Sequence, residues 1–129
     1  MKLLRIVWTL PYTLLGIVLG LIVLATGGRA RWGQRAIEFS GGAVRCFFRC
    51  LPRGRFIQAM TLGHTILAVD EPAMNATRQH EWVHVAQFER WGLFMGPAYL
   101  LVALWLWLQG KDPYWDNPFE REAWGDDRP

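Results

Sequence analysis

The sequence predicts one small α+β domain joined to an N-terminal membrane helix. Three observations predict this. Residues 6–25 form an uncharged apolar run. Residues 56–61 and 65–69 are short runs rich in β-branched and aromatic side chains, the signature of strands. Residues 77–91 contain neither Gly nor Pro and stop at Gly92, as a helix does. A chain of 129 residues has room for one modest core.

The apolar run comes first. Twenty residues span about 30 Å as a helix, enough to cross the hydrocarbon of a bilayer. Trp8 and Tyr12 suit an interfacial belt, and Pro11 is tolerated in a membrane helix. Lys2 and Arg5 precede the run as they would in a signal peptide. The run is too long for an ordinary signal, however, and Ala25-Thr26-Gly27 is a poor cleavage site. Residues 1–28 therefore read as a retained transmembrane anchor, and residues 29–129 as the functional domain.

Arg29, Arg31, Arg35, Arg45, Arg49, Arg53 and Arg55 follow, opposed only by Glu38. Beside a membrane helix, such a run predicts attraction to anionic lipid. It also predicts a cytoplasmic location on a bacterial-type inner membrane. The lipid bilayer is thus an expected partner. Nucleic acid is not, because no nucleic-acid motif accompanies the charge.

Residues 36–40 suit a short strand, which Gly41-Gly42 breaks. Residues 43–51 suit a short helix stopped by Pro52 and Gly54. Cys46 and Cys50 would share a face of that helix, as a disulfide or a metal pair requires. A single pair in a reducing compartment reads instead as buried free thiols. The runs at 56–61 and 65–69 make a hairpin or two sequential strands around Leu62-Gly63-His64. Asp70 then caps the next helix, with Pro72 at an early position.

That helix carries His80-Glu81-Trp82-Val83-His84. Residues four apart lie one above the other on a helix, so both imidazoles face the same way and can grip one Zn²⁺. Glu81 sits about 100° round the helix from His80, beside the metal, where it can take a proton from a zinc-activated water. The competing reading is a helix whose histidines only hydrogen-bond in a core.

A second apolar run, residues 93–108, poses a topological question. As an unbroken helix it reaches about 24 Å, and Gly96-Pro97 is expected to interrupt it. That length, and the roughly 18 Å left from Pro97 to Leu108, both fall short of a bilayer, so the run reads as a re-entrant or in-plane helix with Trp105 and Trp107 at the interface. Beyond a turn at 109–113, Asn117 and Pro118 open a last helix. Glu120 and Glu122 on it point to nearly opposite faces, so only one can join the histidines. Asp126 and Asp127 read as a frayed tail.

His80-Glu81-Trp82-Val83-His84, followed by Asn117-Pro118-Phe119-Glu120-Arg121-Glu122-Ala123, resembles the zincin metallopeptidases of the gluzincin type. The likeness covers residues 56–125 and implies a minimal zincin-like fold. By resemblance, the third ligand is the glutamate with a small residue three positions on, which pairs Glu120 with Ala123. Glu122 is then a solvent group or one that holds a histidine N–H. An aspartate commonly follows the alanine in related membrane peptidases; here Trp124 does. The metzincin extension is absent from residues 85–90. The resemblance also assigns a substrate-binding edge strand to Thr61, Leu62, Gly63 and Thr65. His64, Tyr99 and Tyr114 are candidate transition-state stabilisers; His64 could also be a ligand, with a plain turn residue its default reading.

The resulting expectation is a membrane-anchored zinc metallopeptidase: zinc on His80, His84 and Glu120, Glu81 as general base, and a peptide or protein as substrate. The alternatives are a non-catalytic membrane protein with a structural zinc, and a basic membrane-surface adaptor.

Overall fold

The computed structural model describes residues 2–51 and 53–125. Pro52, Asp126 and Asp127, read above as a helix stop and a frayed tail, lie outside them. Helix α1 (Lys2–Ala25) leads into strands β1 (Arg29–Trp32) and β2 (Ile37–Ser40) and the short helix α2 (Val44–Arg49). A 3₁₀ turn at Gly54–Phe56 precedes strands β3 (Ala59–Leu62) and β4 (Thr65–Ala68). Helices α3 (Glu71–Trp91), α4 (Met95–Leu108) and α5 (Pro118–Trp124) complete an α+β fold. The sheet order is β1-β2-β4-β3, with β2 and β4 parallel and both outer pairs antiparallel.

Strand alternation divides the work between the two faces of the sheet. Phe39 on β2 and Thr65 on β4 face α1, where they lie against Gly20 and Gly16. Glu38 on β2 and Thr61 on β3 face α3, where they bond Arg78 and Glu81. The sheet is therefore a middle layer between α1 and α3. On the α3 side Ile66 and Ala68 pack with Met74 and Val85, and α2 adds Val44 and Phe48 to the same cluster. Full burial of one such side chain as Ile66 stabilises by about 1.5–3 kcal/mol.

Among the described residues, two helical segments, Lys2–Ala25 and Glu71–Leu108, are long and apolar enough to cross a membrane. The first does not stand apart from the domain. Thr9, Gly16, Gly20 and Val23 form its buried stripe. Side chains larger than glycine at 16 and 20 would collide with Thr65 and Phe39, so glycine is what lets the helix lie flat on the sheet. Trp8 and Tyr12, read above as belt residues, are structural clamps. Trp8 Nε1 donates to the Glu89 carbonyl over 2.9 Å and Tyr12 Oη to the Leu93 carbonyl over 2.9 Å. They thus occupy a carbonyl in the last turn of α3, where the helix itself supplies no partner, and one in the turn that follows it.

The second segment is broken at Gly92 (φ 55°, ψ −126°), with a 3₁₀ turn at Gly92–Phe94. The break therefore precedes Gly96-Pro97, and Pro97 sits in the first turn of α4, where a missing N–H costs nothing. As 14 residues, α4 is about 20 Å long. The chain then turns through Asp112, which accepts the N–H groups of Tyr114 and Trp115, into α5, capped by Asn117 Oδ1 on Phe119 N.

Strands β2, β3 and β4 fall within a few residues of the expected runs, and Asp70 caps α3 by accepting from Ala73 N over 2.8 Å. Strand β1 lies in the segment read only as an arginine run. Its four residues are all exposed, so no hydrophobic alternation announces it. Cys46 and Cys50 are free, as expected, but exposed and not buried. Six residues of α2 bury only Val44 and Phe48, on the face that packs inward.

Candidate metal centre

Helix α3 places His80 and His84 one turn apart, and α5 brings Glu120 to them. His84 Nε2 lies 3.2 Å from His80 Nε2, and Glu120 Oε2 lies 3.3 Å from each. Three donor atoms from three side chains therefore form a nearly equilateral triangle, a cluster able to hold one metal ion. His80 Nδ1 is buried without a hydrogen-bond partner, and Glu120 Oε2, also buried, has only the two imidazoles beside it. His84 and Glu120 meet although α4 lies between them in sequence. The chain thus doubles back after α4 to bring α5 against α3.

The charges are strongly coupled. Burial pushes the Glu120 carboxyl up, but the two imidazoles outweigh it and hold the group at about 2. Burial pushes the His84 imidazole down. The Glu120 carboxylate, aided by Glu81 and Gln87, outweighs that effect and lifts it to about 9. Tyr99 Oη donates to Glu120 Oε1 over 3.0 Å. Burial, then the charge of Glu120, raises the pKa of Tyr99 and of Tyr114, so both phenols keep their protons at neutral pH.

Glu81 is only 4 % exposed, and burial pushes its carboxyl up despite the opposing pull of His84 and Thr61. Its Oε2 accepts from the Thr61 hydroxyl over 2.6 Å. Thr61 thus orients Glu81 through its side chain. Its backbone fits the role expected of an edge strand. β3 is the outer strand on this side, and Val69 N donates to Gln58 O across the hairpin. Antiparallel alternation then turns the backbone groups of Ala59 and Thr61 away from β4.

The other residues assigned to that strand lie differently. Leu62 ends β3, Gly63 forms the turn with φ 59°, and Thr65 belongs to the inner strand β4 with its side chain against α1. Thr65 and Gly63 are thus removed from the open edge. His64 is held elsewhere as well. Its ring bonds Thr9 Oγ1 at 3.2 Å and Glu89 Oε1 at 3.0 Å, and its backbone N–H donates to Thr13 Oγ1. It is a turn residue that ties the hairpin to α1 and α3. Glu122 is exposed, 3.6 Å from Arg90, and accepts from Gln87 Nε2 at 3.4 Å in place of a histidine.

Two side chains at the cluster escaped the sequence reading. Gln87 Oε1 faces His84 Nδ1 at 2.8 Å, while its Nε2 donates to the Phe119 carbonyl over 2.9 Å. Its place three residues after His84, on the same helix face, is the signal that could have found it. Trp124 covers His80 with ring centroids 4.5 Å apart and donates from Nε1 to Tyr114 Oη. No family model, no curated protein and no solved structure matches this chain.

Proposed function

We propose that this chain is a membrane-associated zinc metallopeptidase of gluzincin type, with His80, His84 and Glu120 as ligands and Glu81 as general base. The observation that carries the reading is the donor triangle. Zn–N and Zn–O bonds of about 2.0–2.2 Å in a tetrahedron require ligand atoms roughly 3.3–3.5 Å apart. The three separations are 3.2, 3.3 and 3.3 Å, which fits. Two imidazoles and one carboxylate are also the donors zinc prefers at catalytic sites.

When bound, Zn²⁺ supplies Lewis acidity toward a carbonyl and acidifies water. The chain's own residues supply the rest. Glu81 accepts the proton of the attacking water and returns it to the leaving nitrogen. Its upward-shifted pKa brings it nearer the operating range of a base, and Thr61 fixes its rotamer. Tyr99 and Tyr114, still protonated, are available to donate to developing negative charge. The outward backbone groups of Ala59 and Thr61 can pair with a peptide laid along β3, which would set its carbonyl beside Glu81. The apolar outer faces of α1 and α4 support attachment to a membrane, and the arginines after α1 support a cytoplasmic placement.

The decisive experiment combines metal analysis with one isosteric substitution. Wild type should carry one zinc per chain and His84→Ala none. Glu81→Gln should keep the zinc and lose hydrolysis of any peptide that wild type cuts. One observation favours a structural metal instead. The histidine side chains are each 10 % exposed, and Trp124 covers His80. A structural site predicts stoichiometric zinc, no hydrolysis by wild type, and indifference to Glu81→Gln.

A further inference from the structure

We infer that α1 lies in the plane of the membrane interface, with its outer face in the lipid and the sheet on the aqueous side, and does not cross the bilayer. This concerns membrane geometry alone and stands whether or not the cluster binds metal.

The first observation is the open edge of the sheet. Gly16 of α1 lies against Thr65, which pairs with Ile37, and Gly20 lies against Phe39. Strand β1 pairs with the same stretch of β2, setting Arg31 opposite Glu38 and Trp32 opposite Ile37. Arg31 and the outer edge of β1 are therefore level with the middle of α1. All four residues of β1 are exposed. An α1 standing upright across a bilayer would carry that edge, and an arginine, into the hydrocarbon. Unpaired strand edges do not occur in contact with lipid, and arginine at that depth is costly.

The second observation is facial. At 100° per residue, Lys2 and Arg5 fall on the same side of α1 as Thr9, Gly16, Gly20 and Val23, the side that packs on the protein. Arg5 also pairs with Glu89 on α3 at 3.6 Å. The opposite half of the helix, from Leu3 through Leu10, Leu14 and Val18 to Leu21, is exposed and wholly apolar. A spanning helix needs cations at its ends but not on one face. A helix lying in the interface needs one charge-free face along its whole length. The exposed cations at both ends, Lys2 before the run and Arg29 and Arg31 after it, then sit at headgroup level and suit an anionic surface.

The test uses the full chain with Cys46→Ser and Cys50→Ser, reconstituted in vesicles of phosphatidylethanolamine and phosphatidylglycerol. Single nitroxide labels at Leu4→Cys, Leu14→Cys and Leu21→Cys, all exposed positions, report depth by accessibility to oxygen against a water-soluble nickel chelate. The expected result is one shallow depth shared by all three. A maximum at position 14, near the bilayer centre, overturns the inference. As a second measurement, Lys2→Cys and Gly27→Cys should react with an impermeant maleimide from the same side of oriented membranes. Reaction from opposite sides overturns it, as does failure of the chain to float with the vesicles.

Discussion

His84 and Gln87 face each other across 2.8 Å, Nδ1 to Oε1. An amide oxygen only accepts, so His84 carries a proton on Nδ1 and turns Nε2 to the donor triangle, where it can bind metal once its own proton is lost. Gln87 is fully buried and holds the Phe119 carbonyl with its other end, so it fixes both the ring of His84 and the approach of α5. Gln87→Leu should weaken zinc binding by about 10–100-fold, the range for partners that orient a ligand. Gln87→Glu, which keeps the acceptor, should recover part of it. A zinc competition assay measures both; affinity equal to wild type for Gln87→Leu would remove the role.

Glu120 and Glu122 are separable in the same assay. Glu120 is 5 % exposed and faces both imidazoles, whereas Glu122 is exposed beside Arg90. Glu120→Gln should cost far more affinity than Glu122→Gln. The reverse ranking would transfer the ligand role to Glu122.

Zinc uptake should release protons. In the metal-free chain Glu120 lifts the His84 imidazole to about 9, so the ring is charged at neutral pH and must lose a proton to bind metal. Affinity should therefore rise with pH through neutrality and level off above about 9. Calorimetry in buffers of different ionisation enthalpy counts the protons. The same pair sets the pH window of the metal-free fold. The raised His84 contributes stability that is complete below its ordinary 6.5 and lost as pH climbs through about 9. The lowered Glu120 contributes stability present above its ordinary 4.5 and lost as pH falls toward about 2. Metal-free protein should gain most from the pair between those ordinary values, as denaturant titrations across pH would show.

The seat of α1 is equally open to test. A β-carbon on Gly20 would fall 2.4 Å from the Phe39 ring, and one on Gly16 would fall 1.7 Å from Thr65 Oγ1. Gly16→Val should destabilise by at least the roughly 1–3 kcal/mol typical of overpacking, because Thr65 sits on an inner strand with little room to move. Val18→Leu, on the exposed face, should be neutral. Equal melting temperatures for the two variants would separate α1 from the sheet.

Glu38 and Arg78 form a two-pronged pair at 2.9 and 3.0 Å, with Glu38 only 3 % exposed. Arg78→Leu strands a buried carboxylate and should cost about 3–5 kcal/mol. Glu38→Gln with Arg78→Leu should recover part of that loss. Additive costs in the double variant would show that the two groups do not interact.

What the sequence by itself determined about this protein is local. His80 and His84 share a face because helix geometry fixes the direction of residues four apart, and Asp70, Asn117 and Gly92 mark helix ends through hydrogen bonds that stay within a few residues. Strands β3 and β4 followed from their β-branched and aromatic runs, and helix facing allowed only one of Glu120 and Glu122 to join the histidines. Tertiary structure decided whatever depends on which surfaces meet. It placed β1, whose exposed residues carry no periodic signal, on the edge of the sheet. It sent His64 to Thr9 and Glu89, moved Thr65 to an inner strand, and turned the Thr61 hydroxyl to Glu81. It also set α1 against the sheet. Hydropathy scores how apolar a segment is and not which side of it is covered, and the glycines that allow the contact look the same in a helix that packs on nothing.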